Sequence, residues 1–116
     1  MSNRSILIVD DDEDLHESLK AFLESEGFEV RSAYNGLEAQ ELLRAPHSPP
    51  DVILLDLMMP RMNGWELLSS LKNEPNLGKP QVVVLSAANE PNLPFDFPLT
   101  FLPKPFDLGN LLGVLG

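Results

Sequence analysis

The chain has 116 residues, 43% of them hydrophobic, no cysteine, and a net charge of −10 from 18 acidic and 8 basic residues. This length allows one domain over residues 1–116 with no output domain, and the lack of cysteine excludes disulfides and thiolate metal sites. No signal peptide or apolar run near the roughly 20 residues of a membrane span is readable. With no such segment and no cysteine, we expect a cytoplasmic protein. The acidic charge disfavours nucleic acid and membrane partners.

Apolar segments and helical patterns alternate along the chain. Strands are predicted at residues 6–9, 28–33, 52–55, 82–85 and 99–102. All but the second lack polar alternation, which is typical of strands covered on both faces. Helical spacing of apolar residues predicts helices at residues 15–23, 39–43, 67–71 and 108–115. This alternation predicts an α/β fold with a parallel, doubly wound sheet between two layers of helices.

Capping residues and prolines define where the predicted helices begin and end. Asp12 and Asp107 are the expected N-caps of the first and last helices, and Gly27 is positioned to stop the first. Three prolines in residues 89–98 disfavour a long helix between the last two strands, so a loop is predicted there. His16 is expected on the exposed face of the first helix.

Polar residues follow the apolar runs, at the ends of the predicted strands. They are Asp10, Asp11, Asp56, Ser86 and Lys104. Ligands of open parallel sheets bind beyond the carboxyl ends of the strands, where the strand order reverses. If the order is 2-1-3-4-5, the three aspartates converge at that point, and the serine and lysine arrive from the adjacent side.

A convergence of three carboxylates predicts a specific chemistry. Such groups repel one another unless a cation lies among them, and oxygen-only ligation completed by water suits Mg²⁺. An ionised aspartate at this position can attack an activated phosphorus and form an acyl phosphate. Lys104 and Ser86 can then pair with the remaining phosphoryl oxygens, because phosphoryl transfer depends on positioning and charge neutralisation.

Taken together, these motifs resemble a bacterial response-regulator receiver domain, over almost the entire chain. The resemblance is carried by residues 6–14, residues 51–60, Asn63-Gly64, Ser86-Ala87 and Lys104-Pro105-Phe106. It implies a flavodoxin-like three-layer sandwich with a five-stranded sheet of order 2-1-3-4-5. It also implies a two-component phosphorelay, in which a sensor histidine kinase or histidine phosphotransfer protein donates the phosphoryl group and an unknown protein target responds.

The resemblance also implies roles at the acidic site. Asp56 would be the phosphoacceptor and a ligand of Mg²⁺. Asp11 would bind the ion directly and Asp10 largely through water, while the backbone carbonyl of Met58 would supply a third protein ligand. The chain would not be an enzyme beyond self-catalysed phosphorylation and dephosphorylation.

Four further residues receive roles from the same resemblance. Ser86 and Lys104 would bind the phosphoryl group, with Ser86 at the switch position. Phe101 would be an aromatic rotamer switch, although a phenylalanine in a strand is equally consistent with plain core packing. Pro105 would follow a cis peptide bond that directs Lys104 into the site.

Two features depart from the family pattern and keep alternatives open. The segment between Ser86 and Lys104 is short and proline-rich, so the fourth helix is short or absent, and the last helix contains two glycines. These departures favour, as an alternative, a docking module with the same fold that is insensitive to phosphorylation. A metal-dependent hydrolase ranks last, because Met58 stands where such enzymes place a second acid.

Overall fold

A computed structural model describes residues 4–44, 50–56, 73, 80–86, 99–103 and 107–115. The strands are β1 (Ser5–Val9), β2 (Glu29–Ala33), β3 (Val52–Asp56), β4 (Gln81–Ser86) and β5 (Leu99–Pro103). The described helices are α1 (Glu13–Ser25), α2 (Gly36–Arg44) and α3 (Leu108–Leu115). None of these three helices is both long enough and apolar enough to cross a membrane.

The strands form one parallel sheet in the order β2-β1-β3-β4-β5, which confirms the predicted fold class and strand order. The helix predicted at residues 67–71 and the loop predicted at 89–98, with its short or absent fourth helix, lie outside the described residues. Among the described residues, the carboxyl ends of β1 and β3 set the frame for the site.

Residues of the central strands are buried on both sides, which explains why their sequences lack polar alternation. Residues 6–9, 52–55 and 82–85 are each at most 2% exposed. At the edge strand β2, burial alternates along residues 29–32, because successive side chains point to opposite faces and one face is less covered there. Its weaker sequence signal follows from that position.

The core divides between the two faces of the sheet. On one face, α1 and α3 bury apolar residues against every second residue of the strands, forming a single cluster. It consists of Ile6, Ile8, Leu19, Leu23, Val52, Leu54, Val83, Leu85, Leu102, Leu111 and Leu115. On the opposite face, α2 packs on β1 and β2 through Ala39 and Leu43, since the chain reverses direction across the sheet after β2.

Side chains cap the amino ends of the described helices. Asp12 Oδ1 accepts hydrogen bonds from Asp14 N–H at 3.0 Å and Leu15 N–H at 3.3 Å. Asp107 Oδ1 likewise accepts from Asn110 N–H at 2.7 Å. Both predicted N-caps are therefore confirmed, and each satisfies amides that have no partner inside the helix.

Two side chains hold the carboxyl end of α3 against the amino ends of the strands. The guanidinium of Arg4, just before β1, donates to the carbonyl of Leu115. Gln81 Nε2, at the start of β4, donates to the carbonyl of Val114 at 3.0 Å. We call this pair of contacts the carboxyl-terminal clasp.

Substitution of two glycines by alanine should change stability in opposite directions. Gly27 ends α1 with φ +95°, where an added Cβ would meet no atom within 4 Å, so Gly27→Ala should cost about 1–2 kcal/mol through backbone strain alone. Gly113 lies within α3 and is equally unobstructed, so Gly113→Ala should gain about 0.5–1 kcal/mol. Urea unfolding of both variants measures the difference, and shifts of the same sign would contradict it.

Candidate functional site

The polar residues at the strand ends meet where the strand order reverses. Asp10 directly follows β1, and Asp56 is the last residue of β3, the neighbouring strand. β2 and β3 lie on opposite sides of β1, so the connections before and after this point run in opposite directions across the sheet. Such a crevice at the carboxyl ends of parallel strands is where ligands bind in this architecture.

Three carboxylates converge in this crevice. Asp10, Asp11 and Asp56 each offer one oxygen, and these oxygens all lie within 4.8 Å of one another. Asp10 is 1% exposed, Asp56 is half-buried and Asp11 is exposed, so solvent reaches the cluster at Asp11 and Asp56. We call these three residues the acidic cluster.

The donor set of the acidic cluster fits a small, hard divalent cation. Oxygens bound to one Mg²⁺ at about 2.1 Å can be at most about 4.2 Å apart. The oxygens of the acidic cluster lie within 4.8 Å of one another, so they are near the spacing at which they could share one ion. An ion of this kind would also offset the mutual repulsion of three negative charges.

Hydrogen bonds hold the backbone that carries the acidic cluster. Asp10 N–H donates to the carbonyl of Ala33 at 3.1 Å, which ties the end of β1 to the end of β2. Asp10 Oδ1 accepts from Asp12 N–H at 3.0 Å. The Asp10 carbonyl is 2.7 Å from His16 Nε2. Both backbone groups of Asp10 are thus fixed by neighbouring elements.

The prediction that His16 lies on the exposed face of α1 is wrong. Its side chain is 2% exposed, and its ring packs on Tyr34 with centroids 4.4 Å apart and planes tilted by 42°. The buried carbonyl of Asp10 needs a donor, and the imidazole supplies one. The helical spacing indicates that residue 16 is on the buried face, because it lies three and seven positions before the core residues Leu19 and Leu23.

The other predicted site residues are placed only in part. Ser86 is the last residue of β4, at the same edge of the sheet as Asp56. Phe101 lies in β5, in register with Val84. Met58, Lys104 and Pro105 fall outside the described residues, although β5 ends at Pro103 beside Ser86. The structure thus brings three of the predicted residues into one cluster and places the backbone of two others.

Comparisons with known proteins agree with this geometry. The family model for the response regulator receiver domain matches residues 6–115. A solved receiver domain from Methanospirillum hungatei has a TM-score of 0.81 and 31% identity, covering 95% of this chain and 89% of that one. A receiver domain from Methylobacillus flagellatus has a TM-score of 0.85 and 25% identity, covering 98% and 97%.

A curated relative extends the match to a longer protein. The transcriptional regulatory protein CrdR of Helicobacter pylori is 37% identical over 111 residues. The match covers 93% of this chain but only 51% of CrdR, so the chain spans about half the length of that relative. With the family model matching nearly every residue, the chain belongs to the response regulator receiver domain family of two-component systems.

Proposed function

We propose that the chain is a phosphoacceptor in which the carboxylate of Asp56 receives a phosphoryl group with the help of Mg²⁺. The observation that carries the proposal is the acidic cluster, whose three oxygens, at the carboxyl ends of two adjacent strands, lie within 4.8 Å of one another. Membership of the receiver family supports the same role. The donor would be a sensor histidine kinase or a histidine phosphotransfer protein, whose phosphohistidine supplies the group.

The proposed reaction forms one bond and breaks one. A carboxylate oxygen of Asp56 attacks the phosphorus, and the bond between that phosphorus and the donor's histidine nitrogen breaks, with the nitrogen keeping the electron pair. The half-buried position of Asp56 keeps the carboxylate accessible to a donor while β3 holds its backbone. The product is an acyl phosphate, which water later hydrolyses.

The residues of the acidic cluster would hold the cation in different ways. Exposed Asp11 would bind Mg²⁺ directly, together with Asp56 and the Met58 carbonyl, whereas Asp10 would act largely through water. The hydrogen bond from Asp12 N–H to Asp10 Oδ1 supports this division, because that oxygen already has a donor. When bound, Mg²⁺ neutralises negative charge on the transferring group.

Residues of β4 and β5 would complete the phosphoryl site. The Ser86 hydroxyl would donate a hydrogen bond to one phosphoryl oxygen, and the Lys104 ammonium would pair with another. Pro105, after a cis bond, would direct Lys104. Phe101 would change rotamer when the acyl phosphate forms. The strand ends at Ser86 and Pro103 support this proposal, because they lie side by side at the edge that carries Asp56.

We propose that the chain acts in the cytoplasm on a protein target. It would catalyse no reaction beyond gain and loss of its own phosphoryl group. CrdR is named a transcriptional regulatory protein, but this chain spans only half of it. The net charge of −10 disfavours direct contact of the chain with nucleic acid. A docking module that ignores phosphate is the second candidate, favoured by the prolines of residues 89–98.

Acetyl phosphate tests the proposed chemistry without a kinase. Incubation with acetyl phosphate and Mg²⁺ should add a single, base-labile phosphoryl group, measured by intact mass spectrometry. The same incubation with EDTA in place of Mg²⁺ should give almost no adduct, because the acidic cluster then repels the incoming anion. Absence of any adduct with Mg²⁺ would favour the docking module, and rapid turnover of an added phosphoester would favour a hydrolase.

A further inference from the structure

The hydrogen bond between His16 and Asp10 has a defined direction. A carbonyl oxygen only accepts, so His16 Nε2 must carry the hydrogen and donate it across the 2.7 Å contact. The other ring nitrogen, Nδ1, is buried and has no hydrogen-bond partner among the described residues. The imidazole therefore acts on its surroundings through one polar atom, Nε2.

The bonded carbonyl belongs to the peptide that joins two residues of the acidic cluster. The carbonyl of Asp10 and the amide nitrogen of Asp11 share one planar unit, so the direction of the carbonyl sets the tilt of the whole plane. That tilt determines the directions in which the side chains of Asp10 and Asp11 leave the backbone relative to Asp56. A donor fixed to this carbonyl therefore limits how far the acidic cluster can open.

The ring of His16 also packs against the junction between β2 and α2. Tyr34 packs on it with ring centroids 4.4 Å apart, and Tyr34 N–H donates to Glu38 Oε1 at 2.8 Å. Asn35 Oδ1 accepts from Glu38 N–H at 2.8 Å, which fixes the same junction between β2 and α2. The imidazole thus connects an ordered junction to the turn after β1.

From these contacts we infer that His16 is a positioning residue for the metal site, acting through Nε2 on the Asp10–Asp11 peptide. The inference rests on the proposed function, in which the acidic cluster binds Mg²⁺. Groups that orient metal ligands without touching the ion commonly change metal affinity by 10–100-fold when removed. We expect an effect at the lower end of that range, because Asp12 N–H and Ala33 also hold Asp10.

Three substitutions of His16 test the role of the single nitrogen. His16→Phe keeps a planar ring under Tyr34 but removes the donor. In His16→Gln the amide nitrogen takes the place of Nε2, whereas in His16→Asn it takes the place of Nδ1. Isothermal titration calorimetry with Mg²⁺ should give about tenfold weaker binding for His16→Phe, recovery of most of the affinity for His16→Gln and little recovery for His16→Asn.

A core variant of the same helix separates positioning from general loss of stability. Leu23→Val removes volume from a fully buried position of α1 far from the turn, so it should lower the thermal midpoint but leave the Mg²⁺ dissociation constant unchanged. Equal Mg²⁺ affinity of His16→Phe and the wild type would overturn the inference. If His16→Phe fails to fold, equal affinities of His16→Gln and His16→Asn would overturn it instead.

Mg²⁺ titration of the wild type distinguishes failure of this inference from failure of the proposed function. Lack of Mg²⁺ binding by the wild-type chain would overturn both. Mg²⁺ binding and phosphorylation by the wild type, with affinity insensitive to His16, would overturn the positioning role and leave the phosphoacceptor standing.

Discussion

Asp56→Asn is expected to reduce the phosphoryl adduct formed from acetyl phosphate to background. The amide of asparagine has no negative charge and is a far weaker nucleophile than a carboxylate, although the two groups are nearly the same size. Since residue 56 ends β3 and is paired with Leu85 of β4, its position should not change. Intact mass spectrometry measures the adduct, and circular dichroism checks that the variant is folded.

The control places the same substitution at the other end of the same strand. Asp51 precedes β3, is exposed, and accepts a hydrogen bond from Ser5 N–H at 2.8 Å, which an asparagine oxygen can also accept. Asp51→Asn should therefore be phosphorylated like the wild type. A full, Mg²⁺-dependent adduct on the Asp56→Asn variant would show that another residue is the phosphoacceptor, and peptide mapping would identify it.

Leu54→Ala is expected to lower the free energy of unfolding by about 2–5 kcal/mol. Leu54 is fully buried in the central strand β3, and it lies between Ile8 and Val83 in the register of the sheet. Truncation loses the transfer free energy of the removed atoms and leaves a cavity that rigid neighbouring strands cannot close. Urea denaturation measures the change, which is a large part of the roughly 5–15 kcal/mol typical of a domain.

An exposed residue of the same sheet provides the comparison. Glu29→Ala, at the start of the edge strand β2, should change stability by no more than about 0.5 kcal/mol. A loss below about 1 kcal/mol for Leu54→Ala would contradict the buried position of this side chain. At low temperature, where the folded form persists, Leu54→Ala should still accept phosphate, because the substitution leaves the acidic cluster intact.

The strands and helix caps were predictable because their causes are local. Three central strands are covered on both faces, so their residues read as uninterrupted apolar runs in the sequence. Asp12 and Asp107 cap helices through amides two or three residues away, which makes the signal readable in a short window. The convergence of acids followed from the strand order, because carboxyl ends of parallel strands share one edge.

The parts that sequence reasoning missed depend on contacts between distant segments. Helical spacing is consistent with burial of residue 16, but it does not show that the carbonyl at the end of β1 needs the donor that His16 supplies. The ring is buried because Tyr34, from the end of β2, covers it. The distances of at most 4.8 Å between oxygens of the acidic cluster likewise depend on the register between β1 and β3, which no local pattern specifies.

The carboxyl-terminal clasp has a practical consequence for fusion proteins. Arg4 and Gln81 stand at the amino ends of β1 and β4, so the last turn of α3 lies at the edge of the sheet away from Asp56. Strands of five residues at about 3.3 Å per residue are roughly 16 Å long, which is the distance between the amino ends of the strands and the carboxyl ends that carry the acidic cluster. A fluorescent reporter joined to α3 would therefore leave the acidic cluster open to a kinase, provided that the linker preserves both clasp hydrogen bonds.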